Sequence, residues 1–191
     1  DIIDALQPDL ILANREENYK EGIEKLCEKY PVWMSDIVSI NDALQMIEKI
    51  GVLTGKETNA TEIIVGIRTA FKSNKKKKKK KTLYLIWRKP WMAAGTGTFI
   101  NSMLEEAGLE NCLNDVARYP ELTTADIEKL KPELILLSSE PYPFQQKHIS
   151  ELQQLFPFAR MLPVDGEMFS WYGSRLIKAP AYLNDLPLHL S

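Results

Sequence analysis

The chain of 191 residues is long enough for one large α/β domain or two small ones, and its 45% hydrophobic content is that of a protein with a buried core. No apolar run reaches the roughly 20 residues that a membrane helix needs. Setting aside the seven lysines Lys75–Lys81 takes the net charge from −2 to −9, so the body is acidic and argues against a nucleic-acid surface, while the lysine run reads as a solvated, self-repelling connector.

Leu10–Ala13 is a continuous apolar run, the pattern of a strand buried on both faces. Asn18 precedes Glu21 by three, a capping-box spacing that predicts a helix through Lys29, ended by Pro31. Cys27 falls at helical spacing with Ile23, Leu26 and Tyr30, which predicts a buried apolar role. It shares no metal-ligand spacing with Cys112, and the two cysteines fall in different halves of the chain. Val32–Met34 predicts the next strand. Ser39–Asp42 opens a helix with Leu44, Ile47 and Ile50 on one face, closed at Gly51. Asn59–Glu62 opens another, striped by Ile63, Ile64, Ile67, Ala70 and Phe71 and running toward the lysines.

Thr82–Trp87 alternates and predicts a strand, with Trp33 and Trp87 as core residues. Arg88–Gly97 reads as a loop and Thr98–Ala107 as a helix stopped by Gly108. Thr123 and Asp126 form a second capping-box pattern before a short helix to Leu130. Leu134–Leu137 reads as strand, Ser138–Pro143 as a stiff loop, Gln145–Phe156 as helix and Met161–Val164 as strand. A last helix is expected from Met168 to Leu183. Strands alternating with helices predict mostly parallel sheets.

One phrase occurs twice. Leu6, Pro8, Asp9, Leu10, Ile11 and Leu12 match Leu130, Pro132, Glu133, Leu134, Ile135 and Leu136 at one offset, and a short apolar run ending in Asp36 or Asp165 follows each copy. The repeat predicts two similar α/β lobes, and a ligand cleft between them. The expected division is a partial N-terminal lobe over 1–58, a linking helix and lysine-rich connector over 59–81, and a C-terminal lobe over 82–191.

Function in open α/β sheets gathers at the carboxyl ends of strands. Those ends carry Asn14 and Arg15, Ser35 and Asp36, Arg88–Trp91, Ser138–Glu140 and Asp165–Trp171. No nucleophile elbow, Walker loop, zinc-protease motif or dinucleotide turn is present, and His148 and His189 stand alone. Asp36 and Asp165 are candidate paired carboxylates, but each is expected to cap the helix after it. Trp91, Tyr119, Tyr142, Trp171 and Tyr172 fall outside apolar stripes, which points to a large flat or greasy ligand. Arg88 and Arg175 could meet its carboxylates or phosphates.

The order L-x-P-D-L-I-L-A-N-x-E-E-N, P-V-W, W-R-x-P-W-x-A-A-G-x-G-T-F-I, L-L-S-S-E-P-Y-P-F and F-S-W-Y-G-S-R resembles the helical-backbone (class III) periplasmic substrate-binding proteins of ABC importers, over essentially the whole chain. That family captures cobalamin, haem or iron–siderophore complexes. The resemblance implies two Rossmann-like lobes rigidly joined by one long helix, here about Asn59–Lys76. It implies ligand contacts from Trp91, Tyr119, Glu167 and Trp171, with Asn14 and Arg15 from the first lobe, and Arg88 joins them as a strand-end arginine. It further implies docking on a membrane permease through one acid per lobe. The acids here, Glu21 and Asp126, fall one residue from the aligned Lys20 and Ala125, and capping explains both equally well. Implied too are a monomer outside the cytoplasmic membrane, periplasmic or lipid-anchored, with a metal chelate as cargo, no resident metal, no catalytic residue and no nucleic-acid partner. The family's first lobe begins with further βα units, so the chain is expected to be a fragment. The alternatives are a metal-cluster protein or enzyme using Asp36, Asp165 and Glu140, or a fragment that binds nothing.

Overall fold

The structure, a computed structural model, describes residues 2–73 and 79–188; Lys75–Lys78 of the lysine run and His189 lie outside the described residues. By its contacts the chain divides into Asp1–Ile37 and Val38–Ser191. Both units are α/β with parallel strand pairs, the architecture that the alternating pattern predicts.

The first unit runs α1 (Ile2–Leu6), β1 (Ile11–Asn14), α2 (Lys20–Cys27) and β2 (Val32–Ser35). β1 and β2 pair in parallel from Ile11↔Val32 to Asn14↔Ser35. The sheet is not buried on both faces as the apolar run suggested. Leu12 is 46% and Met34 40% exposed, because a two-stranded sheet with short helices cannot cover both sides. The expected capping box is also absent. The N-cap of α2 is Tyr19, without a side-chain bond. Asn18 Oδ1 instead accepts the Asn14 backbone N–H at 2.9 Å, closing the turn after β1. Cys27 is exposed rather than buried, since the eight-residue α2 buries no residue at all. The unit is tied across its base by Asp4, whose carboxylate accepts from Lys29 Nζ at 3.0 Å and from the Tyr30 hydroxyl at 2.9 Å.

In the second unit α3 (Ile40–Thr54) starts as expected: Ser39 Oγ accepts from Asp42 N–H and donates to its carboxylate. It does not close at Gly51. It runs to Thr54 and ends at Gly55, whose φ of +64° supplies the left-handed cap. Gly51 serves packing instead. A Cβ there would lie 2.6 Å from Ala60 Cβ, so the missing side chain lets α3 approach α4 (Glu57–Lys72). α4 begins at Glu57, two residues before the Asn59 start expected from the sequence.

β3 (Lys81–Trp87) comes next, then β4 (Trp91–Ala93), α5 (Phe99–Glu106), β5 (Glu110–Asn111), β6 (Glu121–Leu122), α6 (Thr124–Leu130), β7 (Leu134–Ser138), α7 (Gln146–Leu155), β8 (Arg160–Val164) and α8 (Glu167–Ser170). A 3-10 turn at Ser174–Ile177 leads to α9 (Ala179–Asp185). The sheet order is β6-β4-β3-β7-β8, with β5 also on β3. β3, β7 and β8 are parallel, while β4 is antiparallel to β3 and β6. The segment Arg88–Gly97 is therefore not all loop: the chain reverses at Lys89, φ +64°, and returns as β4.

One sheet face carries Leu83, Leu85, Ile135, Leu137 and Met161 against Ile127, Leu152 and Phe156. From β3 Tyr84 is fully buried against Phe169, with ring centroids 5.1 Å apart. Trp87 ends its strand 39% exposed, edge-on to Tyr142 at 5.5 Å, and is not a core residue. The single last helix breaks into three pieces: Trp171 and Gly173 leave the helical region, and Pro180 can begin a helix but not continue one.

Candidate ligand-binding site

Three groups of side chains stand at strand carboxyl ends, one in the first unit and two in the second. In the first, Asn14 and Arg15 follow β1. Asn14 Nδ2 donates to Ser35 Oγ at 3.2 Å, and Arg15 Nη1 donates to Asp36 Oδ2 at 2.5 Å. Asp36 therefore pairs with Arg15 rather than capping α3, whose cap is Ser39. Both partners are substantially exposed, so the pair contributes little stability.

The second group gathers around Arg88. Its Nη2 donates to Glu151 Oε2 at 2.5 Å, and its guanidinium stands over the Trp91 ring at 5.8 Å. Trp91 packs against the core beneath the sheet. Beside them Tyr142 meets Phe144 at 4.9 Å and His148 at 5.3 Å. His148 is buried. Its Nδ1 accepts the Gln145 backbone N–H at 3.0 Å, and Nε2 lies 3.2 Å from the Tyr142 hydroxyl. An Nδ1 that accepts is unprotonated, which fixes the neutral Nε2–H tautomer. Burial, then Arg88 and Lys147, hold its pKa below the usual value.

The third group lies after β7 and β8. Trp171, 51% exposed, donates Nε1–H to Glu140 Oε1 at 2.9 Å. Ser170 Oγ donates to the same oxygen at 2.9 Å. Arg175 stands over the Trp171 ring at 5.7 Å, bonded to Glu167 and 3.7 Å from Asp165. Asp165 Oδ1 accepts the Glu167 N–H, helping to start α8 much as expected, though Gly166 is the formal cap. Behind these, the Gly166 N–H donates to Ser139 Oγ and the Asp165 N–H to the Tyr182 hydroxyl at 2.7 Å. Burial pushes the Tyr84 and Tyr182 phenols up, and pushes the Cys112 thiol up to about 11. None of these is an activated nucleophile. Among the described residues no three His, Cys, Asp or Glu side chains could hold a metal ion.

Of the residues expected to contact ligand, Glu167 and Trp171 share one group, Arg88 and Trp91 another, and Asn14 and Arg15 sit together in the first unit. Tyr119 is half-buried in the loop before β6. Three strand spacings separate β4 from β8 in the sheet, roughly 14 Å. Sequence patterns place Ser139 and Ser170 at strand ends but do not reveal Glu151 or Tyr182. Glu151 and Tyr182 fall inside predicted helices, where nothing in the sequence marks a long-range partner.

A family model for periplasmic binding proteins matches residues 1–159. The chain belongs to the periplasmic binding protein family. Solved structures agree. A protein of Staphylococcus epidermidis, described as a possible iron-binding, periplasmic solute-binding protein, superposes with a TM-score of 0.75 at 25% identity, covering 96% of this chain and 77% of that one. The periplasmic vitamin B12 binding protein of Vibrio cholerae gives 0.71 at 17%, covering 96% and 76%. A structure from the Fe3+-hydroxamate transport system of Saccharomonospora viridis gives 0.74 at 19%, covering 96% and 70%. No curated protein sequence matches. The resemblance drawn from the ordered motifs is thus borne out, and with it a solute-binding role in transport.

The family is one of binding proteins, and the three carboxylates of the enzyme alternative already have partners. Asp36 holds Arg15, Asp165 holds the start of α8, and Glu140 holds Ser170 and Trp171. The acids expected to dock differ from each other. Asp126 is locked in a complete capping box with Thr123, whose hydroxyl and then backbone N–H hold its carboxyl below the usual range. Glu21 sits exposed in the first turn of α2 with no capping box around it.

Proposed function

We propose that this chain is the substrate-binding component of an ABC importer, capturing a metal chelate (an iron–siderophore complex, haem or cobalamin) outside the cytoplasmic membrane and delivering it to a membrane permease. The observation that carries this reading is the half-exposed indole of Trp171, buttressed by Arg175 and Glu140 at the carboxyl ends of β8 and β7. An aromatic ring of that size left open at a strand terminus suits a ligand with a broad apolar or conjugated surface. Glu167 and Trp171 contact it in this reading, with Tyr119, Arg88 and Trp91 as further contacts from the same unit and Arg88 itself anchored by Glu151. Glu21 and Asp126 face the permease. The expected cargoes fit the relatives, whose descriptions name iron, vitamin B12 and Fe3+-hydroxamate.

The test is titration of the purified protein with haemin, cyanocobalamin and a ferric trihydroxamate, monitored by tryptophan fluorescence and native mass spectrometry. One probe should bind as a 1:1 complex. Trp171→Ala should weaken it by ~1–3 kcal/mol, the range for losing an aromatic anchor, with the melting temperature largely kept. Normal binding together with a large fall in melting temperature would make Trp171 a packing residue and remove it from the site.

A further inference from the structure

We infer that Glu140 is a positioning residue for ligand capture, fixing the Trp171 indole as a platform with a single open face. The inference rests on the ligand-binding role proposed for Trp171. One carboxylate oxygen of Glu140 accepts both the Trp171 Nε1–H and the Ser170 hydroxyl, each at 2.9 Å. Those partners lie 31 and 30 residues away along the chain. Glu140 belongs to the loop leaving β7, and Ser170 and Trp171 to the segment after β8, so one carboxylate joins loops from two paired strands.

The indole has two faces and one polar atom. Arg175 stands over the ring at 5.7 Å and is itself held by Glu167 and Asp165, so it covers one face from a fixed position. The Nε1–H bond to an anionic acceptor fixes the edge, and bonds of that type are shorter and stronger than neutral ones. Trp171 as a residue is still 51% exposed, and with Arg175 over one face the inference assigns the opposite face to the ligand. Glu140 has little freedom to move away. A Cβ added at Gly166 would lie only 2.6 Å from Glu140 Cγ, and the Glu140 carbonyl accepts from Ser138 Oγ at 2.5 Å. Both the carboxylate and the backbone that carries it are packed in place. A ligand that stacks on Trp171 then meets a ring already oriented, and avoids the entropy cost of ordering a half-exposed tryptophan.

The chemistry needs an acceptor and no negative charge, which sets the experiment. In 15N-labelled, ligand-free protein, the Trp171 indole N–H resonance is identified by its loss in Trp171→Phe. Glu140→Ala should move it upfield and speed its exchange with solvent, while Glu140→Gln, whose carbonyl still accepts, should hold it near the wild-type position. Titration with haemin, cyanocobalamin and a ferric trihydroxamate should show about tenfold weaker binding of the accepted probe by Glu140→Ala, the factor for losing one hydrogen bond to a charged group. Glu140→Gln should bind within about twofold of wild type. Should Glu140→Ala not fold, Glu140→Met keeps the volume without the acceptor and takes its place. An indole resonance unmoved in Glu140→Ala, or undiminished affinity for a probe that the wild type binds, overturns the inference. A wild type that binds none of the probes overturns the proposed cargo, and the indole resonance still decides whether Glu140 holds the ring.

Discussion

Gly166→Ala should destabilise the protein although nothing in the backbone conformation forbids it. Gly166 has φ −60° and ψ −35°, ordinary helical values that alanine prefers. In open space the substitution would stabilise by about 0.4–1 kcal/mol through the unfolded chain. The surroundings reverse the sign. An added Cβ would meet Ser138 Oγ at 2.4 Å, Glu140 Cγ at 2.6 Å and the Glu140 backbone nitrogen at 3.2 Å. Ser138 is buried and cannot step aside freely, because its hydroxyl accepts from the Tyr84 hydroxyl and donates to the Glu140 carbonyl. Moving it breaks a bond worth ~1 kcal/mol, within an overpacking cost of ~1–3 kcal/mol. Subtracting the unfolded-state gain leaves a net loss of ~1–2 kcal/mol. Urea unfolding at constant m, or a fall in melting temperature of about 2–8 °C, measures it. A variant as stable as wild type, or more stable, would mean that Ser138 and Glu140 do not pack the β7 loop against the β8 loop.

His148 gives a pH dependence. Its folded pKa is lowered by burial and by Arg88 and Lys147, opposed by Glu151, so the neutral form is preferred in the fold. The contribution is complete above the unfolded value near 6.5 and is lost as pH falls from there toward the folded pKa. The fall in urea midpoint between pH 7.5 and 5.5 should be smaller in His148→Gln; an identical fall would place the titration elsewhere. For docking, Glu21→Lys should abolish permease-dependent uptake while leaving chelate affinity and unfolding unchanged, since no capping box involves Glu21. Asp126→Lys should lower both uptake and stability, because it also removes the acceptor of the Thr123 N–H. Uptake at the wild-type rate by the double variant would leave the permease contact to other residues.

The fold was legible where a local rule acts alone. The apolar runs, the Ser39 cap, the Thr123–Asp126 box and the stop at Gly108 each depend on residues within a few positions, and each appears. Local rules failed where tertiary packing overrode them. Gly51 reads as a helix stop but is the small residue that α3 needs against Ala60. Asn18 reads as a cap but bonds back to the turn after β1. The three-residue β4 has too little sequence to carry a period. Within the candidate site, the residue types at the strand ends were legible because the topology sends them there. The pairings Arg88–Glu151 and Trp171–Glu140 span 63 and 31 positions, and no spacing rule reaches that far.

The repeated phrase produced more than two similar strands. After β1, the Asn14 side chain accepts the backbone N–H of Glu16 at 2.9 Å; after β7, Ser138 Oγ lies 3.4 Å from the backbone nitrogen of Glu140. In both copies a small polar residue at the strand's end turns the chain by bonding two positions ahead, the mechanism that favours Asn and Ser in turns. In both, the turn delivers a glutamate to the carboxyl end of a strand paired in parallel with the next. Beyond that turn the copies diverge. Where the first unit continues into α2, the second supplies Gly166, Ser170 and Trp171 from the neighbouring strand, and the absence of a side chain at Gly166 lets Glu140 reach them. A shared turn thus fixes where the acid arrives, and the residues brought against it in the second unit decide that it holds an aromatic ring.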